Sequence, residues 1–187
     1  MGKDFKNILQ QIEQVHLKTF VKISVFKSKE GLSHLATTRR GMYWLWTSLT
    51  LEELKRLPHN DLKKRHVPIA KRILQREGLS HICKITRNNY RIVYNGVGGY
   101  RTTDKGFGLR ERILQEITCN DARTGTLNIS YGCRDLSKWA VTFFDFDDPQ
   151  NSSILKQLGT NAPYVDYAEV LEDLCRMEFG TPILCRN

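Results

Sequence analysis

A dense run of basic residues leads directly into tyrosine, glycine and arginine residues in the middle of the chain. Between Lys55 and Arg91 the sequence holds eleven Lys and Arg against two acids, so these 37 residues carry a net charge of +9, equal to that of the whole protein. Tyr94-Asn95-Gly96 follows at once, and Leu109-Arg110-Glu111-Arg112-Ile113 comes shortly after it. Clustered cations attract polyanions, and arginine can hold a phosphate through two hydrogen bonds. The pattern indicates a protein that holds a polyphosphate and acts on it.

The basic block predicts a nucleic-acid partner. Charge runs are usually solvated helix faces, but such faces normally carry neighbouring acids, which are almost absent here. We expect the block to contact phosphates, which positions a duplex without reading its sequence, while Asn88 and Asn89 are candidates for base contacts. The predicted phosphate contacts are Lys55, Arg56, Lys63, Lys64, Arg65, Lys71, Arg72 and Arg76.

Hydrophobic spacing indicates which elements must position these residues. Apolar residues at helical spacing follow position 5, and short apolar runs bounded by turn residues indicate strands. Thr50 and Glu53 form a capping box at the start of one helix. Helices are predicted from residue 5, after Thr50, and over 69–77, 109–117 and 167–179. Strands are predicted over 21–26, 41–46, 80–85, 90–94, 126–130 and 139–146, with a hairpin turn at 87–89 and a glycine-rich loop over 95–108.

The order of these elements predicts the α+β fold class, with a small, mostly antiparallel sheet flanked by helices. The basic block then forms a helical insertion at about 50–90. Residues 1–40 are expected to form an N-terminal helix and strand extension in front of a domain over 41–187.

Two tripeptides and a helix with an arginine resemble the GIY-YIG nuclease superfamily. Gly41-Met42-Tyr43 and Tyr94-Asn95-Gly96 stand in the order of the family's two signature triplets. After a loop, Leu109-x-x-Arg112-Ile113 follows on a predicted helix, as in that family. The resemblance implies a GIY-YIG-like fold and a catalytic role for the domain over 41–187.

A second part of the resemblance lies near the C-terminus. Glu172 on a predicted helix, followed by Pro182 and Asn187, is similar to the Glu…Pro…Asn pattern that closes the family's domain. Together the matching segments cover 41–46 and 94–187, though not continuously.

The chain also departs from the family pattern. About fifty residues separate the two triplets, which usually lie on adjacent strands joined by a short turn, and these residues include the whole basic block. Asn95 stands where Ile or Val is usual, and Gln115 or Glu116 stands where an aromatic residue or His often follows the arginine by one turn. We interpret the intervening residues as a DNA-binding insertion, as in some restriction enzymes of this superfamily.

The resemblance implies roles for four residues in phosphodiester hydrolysis. Tyr43 or Tyr94 would lie beside the attacking water as base or orienter, although Tyr43, in an aromatic run, is also compatible with a core position. Arg112 would clamp the non-bridging phosphate oxygens in a bidentate way that Lys cannot match. Glu172 would hold one Mg²⁺ ion or another divalent cation, with Glu169 as the competing ligand.

Two other segments were candidates for phosphate or metal chemistry. The glycine-rich stretch over 97–105 lacks the GK[ST] ending of a Walker loop, but it offers Arg101 and Lys105 as phosphate contacts near the scissile bond. Asp145, Asp147 and Asp148 at a strand end resemble a metal site of PD-(D/E)xK nucleases, but the ExK strand does not follow. These three aspartates are therefore expected to serve turn formation.

The spacing of the cysteines and the length of the apolar segments indicate in which cellular compartment the protein is expected. Five widely spaced cysteines with no CxxC or Cys/His pair at zinc spacing are typical of reduced thiols. The sequence shows no secretory signal and no apolar run long enough to cross a membrane. We therefore expect a cytoplasmic protein without a membrane partner.

Together these features predict a Mg²⁺-dependent endonuclease that acts on double-stranded DNA, most simply a small site-specific type II restriction enzyme. The partners expected with it are duplex DNA, a second copy of the chain that contacts the N-terminal 40 residues, and a cognate methyltransferase acting on the same site. The alternatives are a non-catalytic DNA- or RNA-binding module and an RNA-processing nuclease. Glu172 separates the first alternative from an enzyme, because a binding module gains nothing from a carboxylate facing a phosphate.

Overall fold

The protein is built on one five-stranded antiparallel sheet. The computed structural model describes residues 3–27, 39–59, 66–99, 108–118, 125–158 and 164–185. The strands are β1 (Val21–Lys22), β2 (Gly41–Thr47), β3 (Thr86–Arg87), β4 (Tyr90–Gly98) and β5 (Trp139–Asp145). Their order across the sheet is β1-β5-β2-β4-β3, and all four neighbouring pairs are antiparallel. The α+β class predicted from the sequence is confirmed.

Seven α-helices are described around this sheet. They are α1 (Lys3–His16), α2 (Leu51–Lys55), α3 (Ile69–Arg76), α4 (Leu109–Thr118), α5 (Ile129–Gly132), α6 (Ser152–Lys156) and α7 (Tyr164–Phe179). Short 3₁₀ helices cover Leu17–Thr19, Ile23–Lys27, Leu136–Lys138 and Pro149–Asn151. No helix among the described residues is both long and apolar enough to cross a membrane.

The central strand β2 is buried along its whole length, because both faces of the sheet are covered. On one face, Tyr43 and Leu45 lie in a cluster with Leu109 and Ile113 of helix α4. The other face carries Met42, Trp44 and Trp46 in a cluster with apolar residues of α1 and α7. Residues of alternating position on β2 thus serve two separate cores, as expected for a strand with a period of two.

Local sequence signals fixed several elements as expected. The Thr50 hydroxyl accepts from the main-chain nitrogen of Glu53 at 3.1 Å, and the Glu53 carboxylate accepts from that of Thr50 at 2.8 Å, which confirms the capping box. Asn88 and Asn89 both have positive φ, 48° and 65°, as a two-residue hairpin turn requires. Gly78, with φ of 86°, follows helix α3.

Three strand predictions were wrong, and the first has a clear physical reason. The run over 21–26 alternates in hydrophobicity, yet only Val21–Lys22 is a strand and Ile23–Lys27 is a 3₁₀ helix. A 3₁₀ helix aligns residues three apart, so Ile23 and Phe26 both reach the core, whereas a strand would send them to opposite faces.

The other two wrong strands lie over 80–85 and 126–130. In the first, only Ile82 makes a single bridge, to Thr181. In the second, Thr126 bridges to His66, Asn128 adopts a left-handed conformation with φ of 48°, and α5 begins at Ile129. A residue with positive φ interrupts an extended chain, so no strand can continue through Asn128. The loop predicted from residue 95 also begins later, because β4 extends to Gly98.

Buried His16 is expected to make the fold sensitive to acid. Its ring stacks on Trp44 at 3.9 Å between centroids and hydrogen-bonds the Thr142 hydroxyl at 2.9 Å. Burial, assisted by the nearby Arg87, lowers the pKa of His16 to about 3. The unfolded chain takes up a proton near pH 6.5 that the folded chain does not, so stability is present above that pH and is lost below it. Between pH 7 and pH 5 the loss is about 2 kcal/mol.

Denaturant unfolding of the wild type and of His16→Asn at the two pH values measures this loss. The free energy of unfolding of the wild type minus that of His16→Asn should be smaller at pH 5 than at pH 7 by that amount. His81→Gln, a change at an exposed histidine, should keep the wild-type pH dependence. An equal pH dependence in His16→Asn and wild type would contradict the prediction.

Candidate functional site

The two signature-like tripeptides lie on the neighbouring strands β2 and β4 and meet at the pair of Tyr43 and Gly96, in spite of the long segment between them in sequence. Gly41 pairs with Gly98, Met42 with Val97 and Tyr43 with Gly96 across the antiparallel ladder. The rings of Tyr43 and Tyr94 lie 6.4 Å apart between centroids. The sheet therefore places together the glycines and tyrosines that the sequence separates by about fifty residues.

Close approaches explain the glycines at two positions of β4. A Cβ atom on Gly96 would lie 2.6 Å from the hydroxyl oxygen of Tyr43, so only glycine leaves room for that phenol. A Cβ atom on Gly98 would lie 2.8 Å from the main chain of Leu109, the first residue of α4. Glycine at this second position lets the helix that carries Arg112 begin directly against the sheet.

Glu116 is a buried carboxylate that contacts two of the residues predicted to be catalytic, Tyr43 and Arg112. Its carboxylate is fully buried and accepts from the Tyr43 hydroxyl at 2.9 Å and from the main-chain nitrogen of Leu127 at 2.9 Å. Arg112, one turn earlier on α4, lies 3.5 Å from the same carboxylate and supplies its counterion. Burial raises the pKa of Glu116, while Arg112 and the hydrogen bonds oppose that rise.

Both tyrosines are held as neutral phenols. Burial raises the pKa of Tyr43 well above 10, and the negative charge of Glu116 raises it further. Burial also raises the pKa of Tyr94 well above its usual value, and the negative charge of Glu116 raises it further. At neutral pH these hydroxyls can donate and accept hydrogen bonds, but a phenolate base is disfavoured at either position.

A cleft of about 260 Å³ collects three of the four residues predicted to be catalytic. Tyr94, Arg112 and Glu172 line it, and they come from β4, α4 and α7. The other lining residues are Val67, Asn95, Gly96, Val97, Gly125, Arg176 and Leu184. Tyr43 is fully buried behind this surface and reaches the cleft through Glu116 and Arg112.

Glu172 is the carboxylate that faces the cleft. Its side chain is 14% exposed and its Oε1 accepts from Arg176 at 2.7 Å. Burial raises the pKa of Glu172 to about 7, although Arg176 opposes the rise. Glu169, the competing candidate, is exposed and does not line the cleft. An incompletely compensated carboxylate in a cleft favours binding of a further cation.

The donor set is compatible with Mg²⁺ held by one carboxylate. Among the described residues, no group of three or more His, Cys, Asp or Glu side chains could hold a metal ion. Mg²⁺ keeps several waters and is commonly bound by one or two carboxylates together with substrate phosphate. Glu172 is therefore the residue of this cleft that fits such an ion.

Two polar residues of the site were not among the predicted catalytic residues. Glu116 stands at a position where an aromatic residue or His is frequent in the resembled family, and the structure pairs it with both Tyr43 and Arg112. Arg176 had no sequence signal beyond its position four residues after Glu172, the spacing that brings side chains together on a helix. Its Nε also donates to the Asn95 side-chain oxygen at 3.1 Å.

The described members of the basic block have different surroundings. Arg56 and Lys71 are exposed and Arg72 is half-buried. Lys55 is paired with Glu52 at 2.8 Å and with Glu77 at 2.7 Å, so its charge is offset within the protein. Arg76 is buried and donates to the main-chain oxygen of Cys185, which places it in a structural contact rather than on the open surface.

Several predicted contacts lie outside the described residues. These are the basic residues Lys63, Lys64, Arg65, Arg101 and Lys105, and Asn187 of the C-terminal pattern. Val67, which follows the first three closely in sequence, lines the cleft. Pro182, the remaining residue of the closing pattern, is buried.

The three aspartates at the end of β5 and directly after it make turn and ion-pair contacts. Asp145 pairs with Arg39 at 2.5 Å and Asp147 pairs with Arg40. Asp148 caps the 3₁₀ helix at Pro149–Asn151, because its side chain accepts from the main-chain nitrogen of Gln150 at 2.9 Å. The expectation that these residues shape a turn is confirmed.

Comparison of the chain with protein-family models, with curated proteins and with solved structures finds no match. The resemblance to the GIY-YIG superfamily therefore depends on the residues of this chain and on their arrangement. That arrangement consists of the paired triplets, the arginine helix packed against them and the glutamate across the cleft.

The contact between Gly96 and Tyr43 can be tested by adding one methyl group. Gly96→Ala is expected to displace the Tyr43 phenol, break its hydrogen bond to Glu116 and lower stability by about 1–3 kcal/mol. Denaturant unfolding measures the change. Gly132→Ala is the control, because a Cβ there meets its nearest neighbour at an ordinary 3.5 Å. Equal stability of the Gly96→Ala variant and the wild type would show that the phenol does not occupy this space.

Proposed function

We propose that the protein is a metal-dependent endonuclease that hydrolyses phosphodiester bonds in double-stranded DNA. The observation that carries the proposal is the cleft in which Tyr94, Arg112 and Glu172 face one space. A hydroxyl, a planar cation and a carboxylate from three separate elements meet the needs of phosphodiester hydrolysis. The resemblance to GIY-YIG nucleases supports the same activity, and a site-specific type II restriction enzyme is the form we propose.

Each residue has a distinct task in this proposal. The Tyr94 hydroxyl orients the attacking water by hydrogen bonding, since its raised pKa disfavours a phenolate. Water oxygen forms the new bond to phosphorus as the bond to the leaving sugar oxygen breaks. The attacking water gives up a proton to solvent, and the leaving oxygen takes one from solvent. Arg112 binds the non-bridging oxygens, where negative charge increases in the transition state.

Residues behind the cleft hold these groups in place. Glu116 accepts a hydrogen bond from the Tyr43 hydroxyl and lies beside Arg112. Its carboxylate therefore restrains the guanidinium from the buried side of the cleft. Glu172 would hold the divalent cation. Such an ion, when bound, withdraws charge from the phosphate and assists the leaving oxygen.

The activity is tested by incubating the purified protein with mixed-sequence duplex DNA in Mg²⁺ or in EDTA. Discrete fragments that form only with the metal support a site-specific nuclease, whereas a continuous smear supports cleavage without sequence preference. DNA binding that weakens with salt, without cleavage in Mg²⁺, Mn²⁺ or Ca²⁺, would refute the nuclease and support the non-catalytic binding module. Duplex RNA in a parallel reaction separates the RNA-processing nuclease from the DNA enzyme.

A further inference from the structure

Arg176 lies where the candidate cleft meets a larger groove. It lines the cleft with Tyr94, Arg112 and Glu172, and it also lines a neighbouring groove of about 760 Å³. This second groove runs between the end of α7 and the segment over 80–84, and its lining includes His81 and Lys84. Arg176 is thus the cationic side chain that the two spaces share.

A buried polar platform fixes the guanidinium of Arg176. Its Nε donates to the side-chain oxygen of Asn95 at 3.1 Å, and Asn95 is only 2% exposed. Cys185 holds Asn95 in turn, since the main-chain nitrogen of Asn95 donates to Sγ at 3.3 Å and the thiol donates to the same side-chain oxygen at 2.9 Å. An Ile or Val at position 95, as is usual in the resembled family, has no side-chain oxygen to accept from Arg176 or from the thiol.

The outer end of Arg176 is only weakly engaged. One terminal nitrogen, Nη1, makes a 3.5 Å contact with Asp173, whose side chain is 72% exposed. A contact of this length to a solvated carboxylate contributes little, so a phosphate oxygen could replace it. The other terminal nitrogen, Nη2, remains with Glu172 at 2.7 Å.

The groove beyond Arg176 has walls joined by hydrogen bonds and carries an exposed lysine. Thr181 donates to the His81 carbonyl at 2.8 Å, and Cys83 donates to the Thr181 carbonyl at 3.0 Å, which ties the two walls together. Glu178, one of the two acids in the lining, is paired with Lys6 at 3.0 Å. Lys84 is exposed and has no ion pair within the part of the chain that is described.

We propose that Arg176 is a second phosphate-binding residue and that the DNA strand passes from the cleft over Arg176 into the groove along His81 and Lys84. The inference rests on the proposed function for the identity of the ligand. It assigns to Asn95 the task of positioning Arg176. It also assigns a DNA contact to a groove that extends beyond the cleft.

The salt dependence of DNA binding tests this path without any cleavage. Affinity for a mixed-sequence duplex is measured in EDTA from low to moderate salt, and the slope of log affinity against log salt counts the phosphate contacts. Arg176→Gln and Lys84→Gln should each flatten the slope by about 0.9, the value for one lost contact. Lys156→Gln, at an exposed lysine that lines neither space, should leave it unchanged.

Further variants separate a lost contact from a disturbed fold. Arg176→Lys keeps the charge and should restore the wild-type slope, and Lys84→Gln alters only an exposed side chain. Unchanged slopes in both Arg176→Gln and Lys84→Gln, or absence of duplex binding by the wild type, would overturn the inference. A wild type that binds with the expected slopes but never cleaves would refute the nuclease and leave the path of the DNA supported.

Discussion

Glu172→Gln is expected to lower the rate of metal-dependent cleavage by a factor of about a thousand or more. A metal ion contributes several kcal/mol to stabilising a phosphoryl transition state, and each 1.4 kcal/mol is a tenfold change in rate. Gln keeps the size of the side chain and an oxygen that can accept from Arg176, so the contact at 2.7 Å can be retained. Single-turnover cleavage at saturating enzyme, measured over a range of Mg²⁺ concentrations, gives the effect.

Glu169→Gln is the matched control for this prediction. The residue lies one turn earlier on the same helix, is exposed and does not line the cleft. The same loss of charge there should leave the rate and the Mg²⁺ dependence close to those of the wild type. If Glu169→Gln lost activity while Glu172→Gln kept it, Glu169 would be the metal ligand. That result would contradict the role given to Glu172.

The pairing of the triplets shows why part of the site could be predicted from sequence. Short, aromatic strand patterns and turn residues are local signals, and they predict strands over 41–46 and 90–94. The structure extends these strands to Gly41–Thr47 and Tyr90–Gly98. Because both triplets lie on these strands, their adjacency follows from pairing β2 with β4. The helix with Arg112 was found in the same way, from its apolar spacing.

Tertiary contacts explain why the rest could not be predicted. Arg76 and Arg56 belong to the same basic block in sequence, yet Arg76 donates to the chain near Cys185 and Arg56 is exposed. Val21, Ile23 and Val25 alternate like strand residues, but the core requires Ile23 and Phe26 on one common face. Such choices depend on which elements pack against each other, and local propensity does not contain that information.

The buried carboxylate of Glu116 links the structural core to the chemistry of the cleft. The pKa of Tyr43 rises because the phenol is buried and because Glu116 is beside it, so this hydroxyl stays protonated and donates to the carboxylate. The same carboxylate attracts the guanidinium of Arg112, which lies 3.5 Å from it. Arg112 is thereby restrained before any substrate binds, which is the preorganisation that electrostatic catalysis requires.

Arg112 is the second residue whose replacement should have a large effect. Arg112→Lys keeps a positive charge near Glu116 but loses the planar, bidentate geometry, so cleavage is expected to fall about 100-fold or more. Arg112→Ala also removes the counterion of a fully buried carboxylate, which should lower the free energy of unfolding by about 3–5 kcal/mol. Single-turnover cleavage and denaturant unfolding measure the two effects.

The two variants together separate catalysis from stability at this position. Arg112→Lys should lose most of its activity while keeping most of its stability, because the charge beside Glu116 remains. Arg110→Lys, on the same helix but absent from the cleft lining, is the control and should retain both. Equal cleavage by Arg112→Lys and wild type would show that a point charge suffices, and the guanidinium would then serve the buried carboxylate rather than the phosphate.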